Sequence, residues 1–168
     1  TLAHLRRTGV RDVLLARFNP GGRGLREWRW LLPTLGQLRG AFRLADHLAR
    51  EMDLRISANV CTPVCVLDPR DYRMISISRC SPDPARRPIT LDPAGNLRFC
   101  NHSPVVAGNI YREHVGTILA GDVMRRWRSV VSDRCRGCRE WVRCLGGCRA
   151  AAEQMGYDLA ATDPVVAR

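Results

Sequence analysis

The chain contains no lysine: all 27 of its Lys-or-Arg residues are arginine, set against 16 acidic residues for a net charge of +11. Arginine without lysine, beside abundant Ala, Gly and Val, fits GC-rich coding as well as any polyanionic partner. Aromatic residues make up only 6% of the chain and no RNA- or DNA-binding motif occurs, so nucleic acid is not an expected partner. No apolar run approaches the roughly 20 residues of a membrane span, and no signal peptide opens the sequence. The expected location is cytoplasmic, with no membrane partner. An initial Met is missing too. Thr1–Gly9 reads as the end of a helix already under way, with Gly9 as the residue past its C-cap, which predicts a fragment of something longer. At 168 residues the chain has room for one ordinary domain or two small ones.

Cysteine is what the chain has in quantity. Its eight cysteines could form four disulfides in a secreted protein. The spacing argues otherwise. Cys135, Cys138, Cys144 and Cys148 fall within fourteen residues, separated by two, five and three others. A C-x-x-C pair lets two thiolates from one turn grip the same centre, and glycines at 137, 146 and 147 allow the backbone to wrap closely around it. Tight C-x-x-C spacing in a chain that alternates strand and helix patterns favours metal ligation in a reducing compartment.

Along the rest of the chain, Val10–Phe18 suits a buried strand, and Asn19-Pro-Gly-Gly-Arg-Gly24 a flexible loop. Thr34 is a candidate N-cap for a helix whose Leu35, Leu38, Phe42, Ala45, Ala49 and Met52 share one face. Leu54–Val60 alternates apolar and polar residues, as a strand does. The rhythm of helix, strand, helix, strand is that of a parallel α/β sheet or barrel. From Cys61 onward the composition changes. Ile89–Cys100 predicts a β-hairpin turning at Asp92-Pro-Ala-Gly95, Asp122–Val131 a short helix, and Arg149–Met155 a last helix ended by Gly156. The expected fold is thus α/β followed by α+β, with residues 1–60 and 61–168 as two regions.

With Cys80, Gly95 and Cys100 included, the pattern is C-x14-G-x4-C, a gap, then C-x2-C-x5-C-x3-C. Over residues 61–168 this resembles the SPASM region, the C-terminal iron–sulfur extension of radical SAM enzymes that modify peptides and proteins. Asp92-Pro-x-Gly95, Cys100-Asn-His-Ser-Pro104 and Gly108-Asn-Ile110 agree with it. The resemblance implies that residues 1–60 end a partial βα barrel and that two auxiliary 4Fe–4S clusters are bound. Cys80, Cys100 and Cys148 would serve the first, with Cys65 the better candidate for its fourth ligand and Cys61 the other candidate. Cys135, Cys138 and Cys144 would serve the second.

Two elements of that family pattern are missing. An Asp-Pro-x-Cys element normally completes the second cluster, but here it reads Asp163-Pro-Val-Val166. The gap leaves four outcomes: an open iron site, Cys61 as the eighth thiolate, a degenerate cluster, or a cysteine in a short tail beyond Arg168. Also missing is the C-x3-C-x2-C motif that holds the catalytic cluster, since Cys61 and Cys65 are followed by Asp68 where a third cysteine would stand. The resemblance therefore implies that S-adenosylmethionine and its cluster belong to upstream sequence, that no residue here is catalytic, and that this chain alone is inactive. A peptide or protein substrate is implied for the intact enzyme. Two other readings use the same cysteines: a zinc-binding interaction module, and a stand-alone electron-transfer domain.

Overall fold

The computed structural model describes residues 1–167, with Pro84 known only by its backbone. Helix α1 (Leu2–Arg7) ends at Thr8 and Gly9, whose φ of +86° only glycine adopts without cost. Strand β1 (Asp12–Leu14) follows, much shorter than the apolar run predicted. The glycine-rich loop winds into a 3₁₀ turn over Gly22–Glu27 and runs into α2 (Trp28–Leu31), which leaves Trp30 86% exposed.

Helix α3 (Leu35–Glu51) begins as its sequence predicts. The Thr34 side chain accepts the Gln37 N–H at 3.2 Å while the Gln37 side chain accepts the Thr34 N–H at 2.9 Å, a reciprocal cap worth about 1 kcal/mol. Its face of Leu38, Phe42, Ala45 and Ala49 is buried against a parallel sheet of β1, β2 (Arg55–Ala58) and β3 (Ile75–Ile77), in that order. Ile56 and Ala58 turn toward α3; Arg55 and Ser57 face away, as the two-residue strand period requires. The other sheet face, with Leu14, Arg55, Ser57 and Ser76, is open.

The third strand comes from beyond residue 60, so the sheet spans both expected regions. Val66, Leu67, Tyr72 and Val165 also pack in the α3 core. The crossover from β2 to β3 carries Cys61 and Cys65 just past the carboxyl end of β2, the edge of an open α/β sheet where ligands commonly bind.

The second unit is a small antiparallel sheet under short helices. Strands β4 (Thr90–Leu91) and β5 (Asn96–Arg98) form the predicted hairpin, turned by Gly95 at φ +81° and by the Asp92 carboxylate, which accepts from the Ala94 and Asn96 N–H groups. A third strand, β6 (Gly108–Asn109), pairs antiparallel with β5. The Asn109 side chain fixes it by donating to the Ala94 carbonyl and Asn96 Oδ1. Helices α4 (Val115–Ala120) and α5 (Asp122–Ser129) cover this sheet through Ile118, Met124 and Trp127. Helix α5 ends at Ser129, two residues short of the predicted Val131. Helix α6 (Trp141–Cys144) and helix α7 (Arg149–Gln154) complete the chain's helices among the described residues, with Gly156 past the end of α7 as predicted.

Candidate metal centres

All eight cysteines are free thiols, and the fold sorts them into two groups. Cys61, Cys80, Cys100 and Cys148 line one cavity of about 240 Å³. Cys80 and Cys100 come from either side of the β4–β5 hairpin, Cys148 from the N-terminus of α7, and Cys61 from the β2–β3 crossover. Cys65, the residue sequence reasoning favoured here, is not among them.

This cavity is built for an anion. Arg87 Nη1 donates to the Cys80 thiol at 3.2 Å, Asn19 Nδ2 to the Cys148 thiol at 3.2 Å, and the His102 N–H to the Cys100 thiol at 3.4 Å. The Arg87 guanidinium stacks 4.5 Å above Phe99, which itself stacks on Trp127 at 4.5 Å, so an apolar floor holds the cation in place. Five buried side-chain nitrogen or oxygen atoms lack a hydrogen-bond partner among the described residues. Four of them, on Asn19, Arg87, His102 and Trp127, belong to residues lining this one cavity. Such concentration of unmet polar groups marks a site that a polar occupant completes.

The thiols divide in acidity. The hydrogen bond shared with Cys61 and the nearby Arg87 push the Cys80 thiol down, while that same bond and burial push Cys61 up. Burial and the Asp163 charge push Cys148 up to about 11. Ligation would displace protons from Cys61 and Cys148, so binding here releases acid.

A buried ion pair fixes two of the four thiols. Arg17 and Asp163 meet at 2.5 Å with side chains 1% and 0% exposed. Arg17 also donates to the Cys61 carbonyl and to Thr62 Oγ1, each at 3.1 Å. Asp163 accepts the Cys148 N–H at 2.7 Å and the Val165 N–H at 3.1 Å. Burial raises the Asp163 carboxyl, and Arg17 with those two N–H groups opposes the rise. One pair thus links the segment after β1, the crossover and the start of α7. Gly147 makes the contact close: at φ +81°, a Cβ there would lie 2.5 Å from Pro63 Cγ and 2.7 Å from Asp163 Oδ2.

The second group gathers Cys135, Cys138 and Cys144 with Cys65. The Val64 N–H donates to the Cys144 thiol at 3.3 Å, bringing the crossover against α6. Burial pushes Cys65 and Cys135 up, and each is raised further by Cys144 and Cys138 nearby. A Cβ at Gly146 would sit 3.7 Å from the Cys135 thiol and 3.2 Å from the Trp141 ring, so Trp141 lies against the turn. Cys65 and Cys138 reach the surface, whereas Cys144 is buried.

Of the arginines interleaved with these cysteines, Arg134, Arg136, Arg139 and Arg143 are exposed and only Arg149 is buried. The cation touching a thiol of the first group, Arg87, lies far from that motif; no signal in the sequence separates it from its neighbour Arg86. Arg17 and Asn19 were equally silent. Among the described residues no three His, Cys, Asp or Glu side chains converge tightly enough to hold a single metal ion.

Comparison with known proteins agrees with this chemistry. Residues 80–139 match the SPASM model, described as an iron–sulfur cluster-binding domain. The chain is 25% identical over 167 residues to a PqqA peptide cyclase of Xanthomonas campestris pv. campestris (strain B100), covering 95% of this chain and 43% of that protein. It is 25% identical over 154 residues to the PqqA peptide cyclase of Xanthomonas axonopodis pv. citri (strain 306), covering 88% and 40%. With that of Methylobacterium sp. (strain 4-46) it shares 24% identity over 141 residues, covering 80% and 35%. The chain therefore spans less than half the length of these curated relatives. No solved structure gives a significant match. With its cysteine spacing and cavity in agreement, the chain is similar at residues 80–139 to the SPASM iron–sulfur cluster-binding domain.

Proposed function

We propose that this chain is the auxiliary-cluster region of a radical SAM enzyme that modifies a peptide. It holds one 4Fe–4S cluster on Cys61, Cys80, Cys100 and Cys148 and a second on Cys135, Cys138 and Cys144. The observation that carries the reading is the convergence of four free thiols on one cavity whose lining holds four further buried polar atoms without a hydrogen-bond partner. Bound iron–sulfur clusters would supply sites that accept and release single electrons.

The chain's own residues set the conditions. Arg87 and Arg149 bring positive charge to the first centre, and the Asn19, His102 and Arg87 N–H groups stabilise thiolate sulfur. Phe99 and Trp127 exclude water from its floor. Three parallel strands covered by α3 on one face are what the end of a βα barrel would contribute, and the first centre lies at their carboxyl edge. The peptide substrate is inferred from the relatives, whose names state that they cyclise the PqqA peptide. Cleavage of S-adenosylmethionine needs a C-x3-C-x2-C motif that these 168 residues do not contain.

Anaerobic reconstitution with iron and sulfide, followed by metal and acid-labile sulfide analysis, tests the reading. Iron and sulfide in equal amounts, with no 5′-deoxyadenosine formed from S-adenosylmethionine and dithionite, is the expected result. Stoichiometric zinc without sulfide would establish the interaction module instead.

A further inference from the structure

We propose that Cys65 is the fourth ligand of the second centre, so that Cys61 and Cys65, four residues apart, send one thiolate to each cluster. The inference rests on the cluster reading above and replaces both the open iron site and the assignment of Cys61 to the second centre.

Three observations carry it. The crossover is pinned at two points by arginines from different elements. Arg17 holds the Cys61 carbonyl at 3.1 Å, whereas Arg39 on α3 holds the Cys65 and Val66 carbonyls at 2.8 Å each. Between these anchors the chain closes a tight turn, with the Val66 and Leu67 N–H groups both bonded to the Pro63 carbonyl. That turn buries Val66 and Leu67 and leaves Cys65 at the surface, separated from the first cavity. The sharp divergence that four-residue spacing demands is therefore built into the backbone.

The second observation is contact. The Val64 N–H lies 3.3 Å from the Cys144 thiol, which brings the residue beside Cys65 into the second group. The third concerns position 166. Val166 packs against the apolar core of α3 and the parallel sheet, beside Val165, which is fully buried. Val166 serves that core, and its side chain has no atom that can ligate iron. The crossover supplies the thiolate instead.

The test compares Cys65→Ala, Cys61→Ala and Val166→Cys in the anaerobically reconstituted full chain, reading iron, sulfide and electron paramagnetic resonance of the reduced and oxidised forms. Wild type should bind about eight irons in two four-iron centres. Cys65→Ala should lose between about one and four irons, all from one centre, while the signal of the other persists and reports an intact fold. Cys61→Ala should remove the other signal and leave the first. Val166→Cys should change neither iron content nor lability. If Cys65→Ala keeps both signals and all the iron, or if Val166→Cys hardens one centre against chelators, the inference fails although the cluster reading stands. Wild-type protein without acid-labile sulfide overturns both.

Discussion

Replacing Asp163 by alanine should be among the most damaging single changes in this chain. The carboxylate is fully buried and has three partners: the Arg17 guanidinium at 2.5 Å, the Cys148 N–H at 2.7 Å and the Val165 N–H at 3.1 Å. Removing one member of a buried pair leaves the other charge without compensation, which costs about 3–5 kcal/mol. Each buried N–H left unsatisfied costs about 1–3 kcal/mol more, although contributions within one network do not add. Against a typical total of about 5–15 kcal/mol, a loss of at least ~3 kcal/mol shifts the unfolding equilibrium more than about a hundredfold. Arg17→Met should cost a similar amount, since it strands the Asp163 charge. The Arg17→Met/Asp163→Leu double variant should cost less than the sum, because no isolated charge remains. Urea unfolding under anaerobic conditions, followed by tryptophan fluorescence, measures all three. Single variants within about 1 kcal/mol of wild type, or a double variant that simply adds, would falsify the account of this pair as the buried link between the two halves of the first centre.

Two further outcomes follow from named contacts. Arg87→Met removes a cation and a donor from the Cys80 thiol, so the reduction potential of the first centre should fall while the second is unchanged. Potentiometric titration followed by electron paramagnetic resonance reads this, and an unmoved potential contradicts it. Gly147→Ala and Gly137→Ala make a matched pair, since both sites have positive φ but only Gly147 is crowded. Gly137→Ala should cost about 1–2 kcal/mol from the backbone alone, and Gly147→Ala about 1–3 kcal/mol more as Pro63 and Asp163 are forced aside. Equal unfolding midpoints for the two would show that the Gly147 contact relaxes freely.

The parts of the structure legible in sequence were those encoded locally. Thr34 and Gln37 cap their helix through groups three residues apart, and Leu38, Phe42, Ala45 and Ala49 repeat at helical spacing, so α3 could be read directly. The hairpin turn at Asp92–Gly95 was visible for the same reason. Strand β6 was not, because two residues have no periodicity and Gly108-Asn109 is placed by its pairing with Asn96 and Leu97 of β5. The membership of β3 in the parallel sheet was hidden by the cysteine-bearing crossover before it. Cysteine spacing announced the metal chemistry but not its partition. That depends on Arg17 and Arg39, which lie 44 and 26 residues from the carbonyls of Cys61 and Cys65 that they hold. The arginines nearest the motif in sequence proved to be mostly surface residues, and Arg87, which contacts a thiol, came from a segment with no distinguishing pattern.

The interleaving of the two cysteine groups also constrains how this stretch of gene can be inherited. The segment from 80 to 139 includes Cys80, Cys100, Cys135 and Cys138, which divide two and two between the groups, while Cys61, Cys65, Cys144 and Cys148 lie outside it. A recombination junction between Cys65 and Cys144 would split both thiol sets at once, and one that began after residue 19 would also leave behind Arg17 and Asn19. Exchange with a sequence whose ligands stand at other positions should therefore disturb both thiol sets when the junction falls between Cys65 and Cys144, whereas a junction upstream of Arg17 keeps both sets and their contacts whole.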